Sequence, residues 1–442
     1  MDKEKPIVLG RNYDDYETYK TKGAIYLGKK YHEIEEKLVP MNDIFLDISS
    51  AHVVFICGKR GGGKSYTMGV IAEGFDLLDE EVKNNLSIIL LDTMGVYWSM
   101  KHPNDAIKRS ILEQYNLSPK GVDVNIFTPE KYFNEYKEKG IPTDYAFALE
   151  ANLLDHEDWC HAFSIEKYSS EGIMLGDIIS ALKDHKQKFT VQDMIEEVKK
   201  HEDSHDHSKQ KVISMLNVAK SWGVFSDKGT KFTDLAQAGK ITVLDVSCYA
   251  TMPGGLDIKS LIVGIVSKHL FVERMAFRKE EEFHMIKKAD ALTKNETYHK
   301  EKREELPLIW LVIDEAHEFL PKDKEDLNAA TEPLVTIMRE GRQPGISLIL
   351  ATQQPGKIHT DVMTQSDIVL SHRITAQIDV SALGLLAQSY NRDGIQRAMD
   401  FLPSDKGTAV VFDDLNEQIH QIRIRPRVSW HGGASPSALR KV

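Results

Sequence analysis

The stretch "GKRGGGKSYT" (58–67) holds four glycines, three cations and no carboxylate, in a chain whose formal net charge is −11. Its first eight residues satisfy G-x-x-x-x-G-K-[ST], a spacing with a specific chemical use. Glycines let the backbone wrap an anion so that successive N–H groups point inward, and a helix starting there adds its positive end. Lys64 can then reach the β- and γ-phosphates of a triphosphate, and the Ser65 hydroxyl can ligate Mg²⁺. The expected phosphate-binding set is Gly58, Lys59, Arg60, Gly61, Gly62, Gly63, Lys64, Ser65 and Tyr66. The plain alternative is a flexible glycine-rich turn. Against it stand the apolar run "VVFIC" just before the glycines and the helical spacing of "SYTMGVIAEGFDLL" just after them.

Such a cradle needs a carboxylate pair opposite it. "LIWLVIDEAHEFLP" ends an apolar run on Asp314 and Glu315. Asp314, at the end of a strand, is expected to hold the magnesium shell; Glu315, one residue on and projecting to the other side, is expected to polarise the attacking water. "ISLILATQQP" ends on Thr352, Gln353 and Gln354, and Gln353, which prolongs the strand, is expected to sense the γ-phosphate. In "TIMREGRQPG", Arg339 and Arg342 lie three apart on a helix expected to end at Gly341. They are either planar cations presented to a neighbouring subunit's nucleotide or a solvated pair favoured by the helix dipole. The spacing leaves both open.

The elements that must position these groups are legible as apolar runs. "VVFIC" (53–57), "LSIILLD" (86–92), "ITVLDVS" (241–247), "LIWLVIDE" (308–315), "ISLILATQ" (346–353), "DIVLSHRI" (367–374) and "GTAVVFDD" (407–414) read as strands buried on both faces. Helical stretches lie between most of them, including the long charged "SKHLFVERMAFRKEEEFHMIKKADAL". Strands alternating with helices predict an α/β fold around a mostly parallel sheet. Residues 1–48 read as a short β-rich segment, 49–100 and 237–428 as the two parts of the core, 101–236 as an inserted helical domain and 429–442 as a tail.

Composition narrows the class. The 442 residues are 41% hydrophobic and 28% charged, ordinary for a globular protein, and no apolar run approaches the length of a membrane span. The polar, acid-containing N-terminus "MDKEKPIVLGRNYDDYETYK" is not a signal peptide, so a cytoplasmic location is expected. Cys57, Cys160 and Cys248 are far apart with no CxxC, which argues against a disulfide framework or a zinc ribbon. The acidic balance argues against one broad nucleic-acid-coating face but allows a few cations lining a ring. His201, His205 and His207 in "HEDSHDHSK" read as an exposed loop, and Asp155, His156, Glu157 and His161 in "LLDHEDWCHAF" as a capped helix and not a nuclease centre.

Taken together, "GKRGGGKSYTMGVI", "IILLDTMGVYWSM", "ITVLDVS", "LIWLVIDEAHEFLP", "MREGRQPGISLILATQQP" and "IRIRPRVSWHGG" resemble the HerA/FtsK superfamily of P-loop DNA translocases, HerA-like ATPases in particular, over roughly residues 45 to 433. The resemblance implies a RecA-like P-loop ATPase core interrupted by a helical bundle, six subunits in a ring, ATP and Mg²⁺ as cofactors, and ATP-driven pumping of double-stranded DNA. It makes Glu315 the catalytic base and Gln353 the γ-phosphate sensor, places Asp92 near metal and water, and makes one of Arg339, Arg342 and Arg373 an arginine finger in trans. It also implies a nuclease or other effector partner, in DNA end processing or anti-phage defence. Lys357, Lys322 and Lys324, in segments leaving the carboxyl ends of strands, are candidates to meet DNA in the pore. The short N-terminal segment departs from the family's full barrel, and the tail is expected to reach a neighbour. A nucleotide-gated scaffold and a secretion-type pumping ATPase are the competing readings.

Overall fold

Continuous apolar runs become the middle of the sheet. The computed structural model describes residues 5–34, 37–186, 188–201, 206–294, 306–374, 377–384, 398–403 and 405–433. Its strands are β1 (Ile7–Leu9), β2 (Ala24–Ile34), β3 (Lys37–Asp47), β4 (Val53–Cys57), β5 (Leu86–Asp92), β6 (Val124–Pro129), β7 (Tyr145–Phe147), β8 (Ile241–Asp245), β9 (Leu308–Ile313), β10 (Ile346–Thr352), β11 (Ile368–His372), β12 (Thr408–Asp413) and β13 (Gln418–Ile424). They form one 13-stranded sheet in the order β1-β3-β2-β13-β12-β11-β4-β10-β9-β5-β8-β6-β7. From β11 to β7 every pairing is parallel; from β11 back to β3 every pairing is antiparallel. The fold is mostly parallel α/β, as the runs predict.

Two apolar layers cover the sheet. Along β4, Val54 and Ile56 join one layer while Phe55 and Cys57 join the other, the alternation that a strand buried on both faces requires. The helix Lys64–Asp76 packs on the first layer through Met68, Ile71 and Phe75, and the long helix Gly255–Thr293 on the second through Ile258, Leu261 and Ile262.

The 101–236 stretch, expected as a helical insert, is mixed. Its β6 pairs with β8 in the register Val124↔Ile241, and β7 closes that edge of the sheet. The helices follow as His156–Ala162, Ser170–His185, Val191–Lys200 and Asp206–Trp222. Asp155 and Thr190 each close a capping box, which starts the first and third of them. Residues 206–209 of the expected histidine-rich loop are the first turn of Asp206–Trp222, so His207 is helical, while His205 lies outside the described residues. The expected tail contact at 434–442 also lies outside them.

Among the described N-terminal residues, β2 pairs antiparallel with β13, which makes the β2–β3 hairpin part of the same sheet and not a separate barrel. The three cysteines are free. Among the described residues, no helix is long and apolar enough to cross a membrane.

Candidate functional site

β4 delivers the chain to the glycines at the carboxyl end of the sheet. Gly63 caps the helix Lys64–Asp76 at φ 116°, a backbone conformation that side-chain-bearing residues resist. Gly58 is held by close approach as well, since a Cβ there would lie 2.6 Å from the Cβ of His372. His372, at the end of β11, is fully buried behind the glycines. Its Nδ1 lies 2.9 Å from the Thr408 carbonyl oxygen and its Nε2 2.9 Å from Thr67 Oγ1. Burial pushes its pKa down to about 4, so the ring is neutral. A carbonyl can only accept, so Nδ1 carries the proton and Nε2 accepts from the Thr67 hydroxyl. This support was missed from sequence, although the "SHR" that ends an apolar run signals a polar strand end.

Lys64 is buried at the start of that helix, and desolvation lowers its pKa against the opposing pull of Glu315 and Asp314. Ser65 Oγ donates to Asp314 Oδ2 at 2.6 Å, which brings the expected metal pair together across 249 residues of sequence. Burial raises the Asp314 pKa, and the Ser65 hydrogen bond opposes that shift. A buried carboxylate beside a hydroxyl is a hard-oxygen donor set that suits Mg²⁺, which takes one or two protein oxygens and completes its shell with phosphates and water.

Glu315 stands at φ 50°, ψ 42°, between β9 and the short turn Ala316–Glu318. A non-glycine residue held there is strained, a cost that tends to persist at functional sites. Gln353 Nε2 donates to Glu315 Oε1, so the expected base and the expected sensor touch. Glu315 Oε2 is buried without a hydrogen bond, 3.6 Å from His317 Nδ1. His317 lies in turn 3.0 Å from Thr352 Oγ1 and 3.3 Å from Gln354 Nε2. Nothing in the spacing of "DEAHEF" singles out His317 in advance.

Asp92 is fully occupied by backbone. Its Oδ1 accepts from Met94 and Gly95 at 3.2 and 2.7 Å, and its Oδ2 from Val96 and Tyr97 at 2.8 and 2.9 Å. Burial first, then the neighbouring Asp245 carboxylate, push its pKa upward despite those donors. The group shapes the turn that follows β5.

The arginines separate. Arg339 is paired with Asp361 of its own chain at 2.6 Å. Arg342 is exposed and has no ion pair or hydrogen bond among the described residues. Arg373 is exposed beside its own glycine loop, its carbonyl accepting from Lys59 N at 3.3 Å. Lys322 and Lys357 are brought together, Lys322 N donating to the Lys357 carbonyl at 3.0 Å beside a Pro321↔Ile358 bridge, and Lys324 opens the nearby turn Lys324–Asp326. The acids of "LLDHEDWCHAF" form no such site: Asp155 caps its helix, and Lys268 Nζ lies 2.5 Å from Asp155 and 3.1 Å from Asp158.

A family model described as "Helicase HerA, central domain" matches residues 37–268. The chain is 24% identical over 373 residues to the probable DNA double-strand break repair helicase HerA of Methanocaldococcus jannaschii, covering 79% of this chain and 65% of that protein. It is 27% identical over 178 residues to the DNA double-strand break repair helicase HerA of Pyrococcus furiosus, covering 39% of this chain and 30% of that protein. The chain thus spans less than two thirds of the length of either relative. VirB4 of Thermoanaerobacter pseudethanolicus shares the fold, with a TM-score of 0.53 at 14% identity over 92% of this chain and 97% of that one.

Proposed function

The chain belongs to the family of the HerA helicase central domain, and on that premise we propose that it is an ATP-hydrolysing motor that moves double-stranded DNA. The observation that supports this reading best is the convergence of Ser65, Asp314, Glu315 and Gln353 at the mouth of the glycine loop. Ser65 and Asp314 would hold Mg²⁺, which when bound would neutralise charge on the β- and γ-phosphates. Backbone N–H groups of 58–65 and the Lys64 ammonium hold the triphosphate. Glu315 takes the proton of a water as its oxygen bonds to the γ-phosphorus, the bond to the bridging oxygen breaks, and ADP leaves. Gln353 ties Glu315 down until a γ-phosphate competes for the amide. Asp92 acts by fixing its turn.

Assembly follows from the arginines. Arg339 is paired within its own chain, whereas the exposed guanidiniums of Arg342 and Arg373 have no ion pair among the described residues and are free to reach a neighbour's nucleotide, as in a six-membered ring. Lys64→Ala and Arg342→Ala chains, each inactive alone, should regain hydrolysis when mixed, since about one boundary in four is intact after random assembly of an equal mixture. Unmixed levels of activity, with each of the three arginines tested in turn, would exclude a finger in trans.

DNA binding is assigned to the Lys322–Lys357 bridge, with Lys324 beside it. Contacts to phosphates carry little sequence preference and weaken steeply with salt. Duplex DNA should raise the ATPase rate at low salt, and Lys357→Ala should lower that increment while sparing the basal rate. The rate measured with and without DNA tests the motor reading directly. Turnover indifferent to DNA, with or without a nuclease or other effector present, would leave a nucleotide-gated scaffold in its place. A cytoplasmic ring acting in end processing or in anti-phage defence is the setting in which such a motor would serve an effector.

A further inference from the structure

His317 grips the end of β10 on both sides of Gln353. Its Nδ1 lies 3.0 Å from Thr352 Oγ1 and its Nε2 3.3 Å from the Gln354 amide nitrogen, while Gln353 between them donates to Glu315 Oε1. An amide N–H only donates, so Nε2 accepts it and Nδ1 is the donor of the ring. The other Glu315 oxygen, Oε2, is buried with no hydrogen bond among the described residues and lies 3.6 Å from that same Nδ1. The gap is only about half an ångström beyond hydrogen-bond range, and a buried carboxylate oxygen left idle is costly.

The two segments that leave the site run on side by side. The one beyond His317 is anchored to the core. Lys259 Nζ donates to Glu318 Oε2 at 2.7 Å, and Asn328 Nδ2 and Thr331 Oγ1 donate to the Glu318 and Phe319 carbonyls, each at 2.9 Å. The other reaches the exposed Lys357 three residues beyond Gln354. The two are zipped together where the lysines sit, Lys322 N donating to the Lys357 carbonyl at 3.0 Å and His359 N to the Leu320 carbonyl at 2.7 Å. Whatever draws on Lys357 therefore pulls at Gln354, and His317, on the anchored segment, registers the pull.

We infer that His317 is a positioning residue through which bound DNA sets the rate of hydrolysis. Phosphates held at Lys322 and Lys357 shift Gln354, the ring turns its Nδ1–H from Thr352 to the idle oxygen of Glu315, and the carboxylate leaves Gln353 for the attacking water. This rests on the motor reading above. One N–H cannot serve Thr352 and Glu315 at full strength together, so the base has two positions and DNA weights one against the other. Thr352 Oγ1 keeps the Gln354 backbone N–H at 3.0 Å when the ring turns away, so the exchange leaves no buried acceptor bare.

The test uses the full chain with His317→Ala and His317→Asn. ATP turnover is measured with and without linear duplex DNA at low salt, beside the affinities for that duplex and for a fluorescent non-hydrolysable ATP analogue. The alanine variant should bind duplex and analogue as wild type does, yet lose the rise in turnover that DNA brings. The asparagine variant, which keeps a side-chain donor near the place of Nδ1, should recover part of that rise. Stimulation of the alanine variant to the wild-type extent overturns the inference. So does a loss of analogue or duplex affinity along with the stimulation, or an asparagine variant no better than alanine, since either makes the ring structural. A wild-type chain whose turnover ignores duplex DNA overturns the motor reading itself.

Discussion

Glu315→Gln is expected to bind ATP and stall with it bound, hydrolysis falling about 10²- to 10⁴-fold, the range that a positioned general base contributes. The substitution keeps shape and removes the carboxylate proposed to take the water's proton. Gln353 already faces this side chain, and a glutamine amide can meet another amide as donor and acceptor, so the fold tolerates the change. Ser65, Asp314 and Lys64 are untouched, so metal and phosphates should still be held. Retained nucleotide after gel filtration, together with multiple-turnover phosphate release, measures both halves of the expectation. Turnover at the wild-type rate would remove Glu315 from the role of base.

The second large effect is on stability. Glu73, in the middle of the glycine-loop helix, is completely buried among Arg425, Arg427 and Ser429. Its Oε1 accepts from Arg427 Nε at 2.8 Å and from Ser429 N and Oγ at 3.0 and 2.6 Å. Its Oε2 accepts from Arg425 Nη1 at 3.1 Å and from Val428 N at 2.9 Å. The two guanidiniums and the Ser429 hydroxyl hold its pKa below the usual carboxylate range, against desolvation. Glu73→Gln would leave two buried cations facing each other with no anion between them. Loss of one partner from a buried ion pair costs about 3–5 kcal/mol. The midpoint of denaturant unfolding should drop accordingly, and nucleotide binding with it, because Tyr66 Oη accepts from Arg427 N at 2.6 Å right beside Ser65. A midpoint within experimental scatter of wild type would mean that the network is not structural.

What could be read from the sequence follows from how local each signal is. β4, β5, β9 and β10 are continuous apolar runs flanked by turn residues, and they emerge within a residue or two of their expected ends. The glycine loop and the Asp314–Glu315 pair are each contiguous in sequence, so their meeting follows once β4 and β9 flank β10 in parallel. β6 and β7 escaped because "VNIFTP" and "YAF" are short and sit between helical patterns. β13, "QIHQIRI", buries His420, Ile422 and Ile424 in alternation, but Ile419 is out of phase in the sequence and the partner strand β2 lies near the other end of the chain. Glu73 was invisible for the same reason: a glutamate inside a helix reads as solvated until arginines 352 and 354 positions away are packed onto it.

The pairing of β2 with β13 also decides how mechanical load would travel. Lys29 and Lys30 on the hairpin lie opposite Arg423 and Ile422, and the ladder continues through β12 and β11 to β4. At its end His372 sits against the glycine loop. A tether would let an attached body swing freely, but a hydrogen-bonded plank does not stretch. Anything gripping the N-terminal hairpin therefore pulls on the phosphate cradle through four strand pairings, and each change in the cradle is felt at the hairpin as tilt.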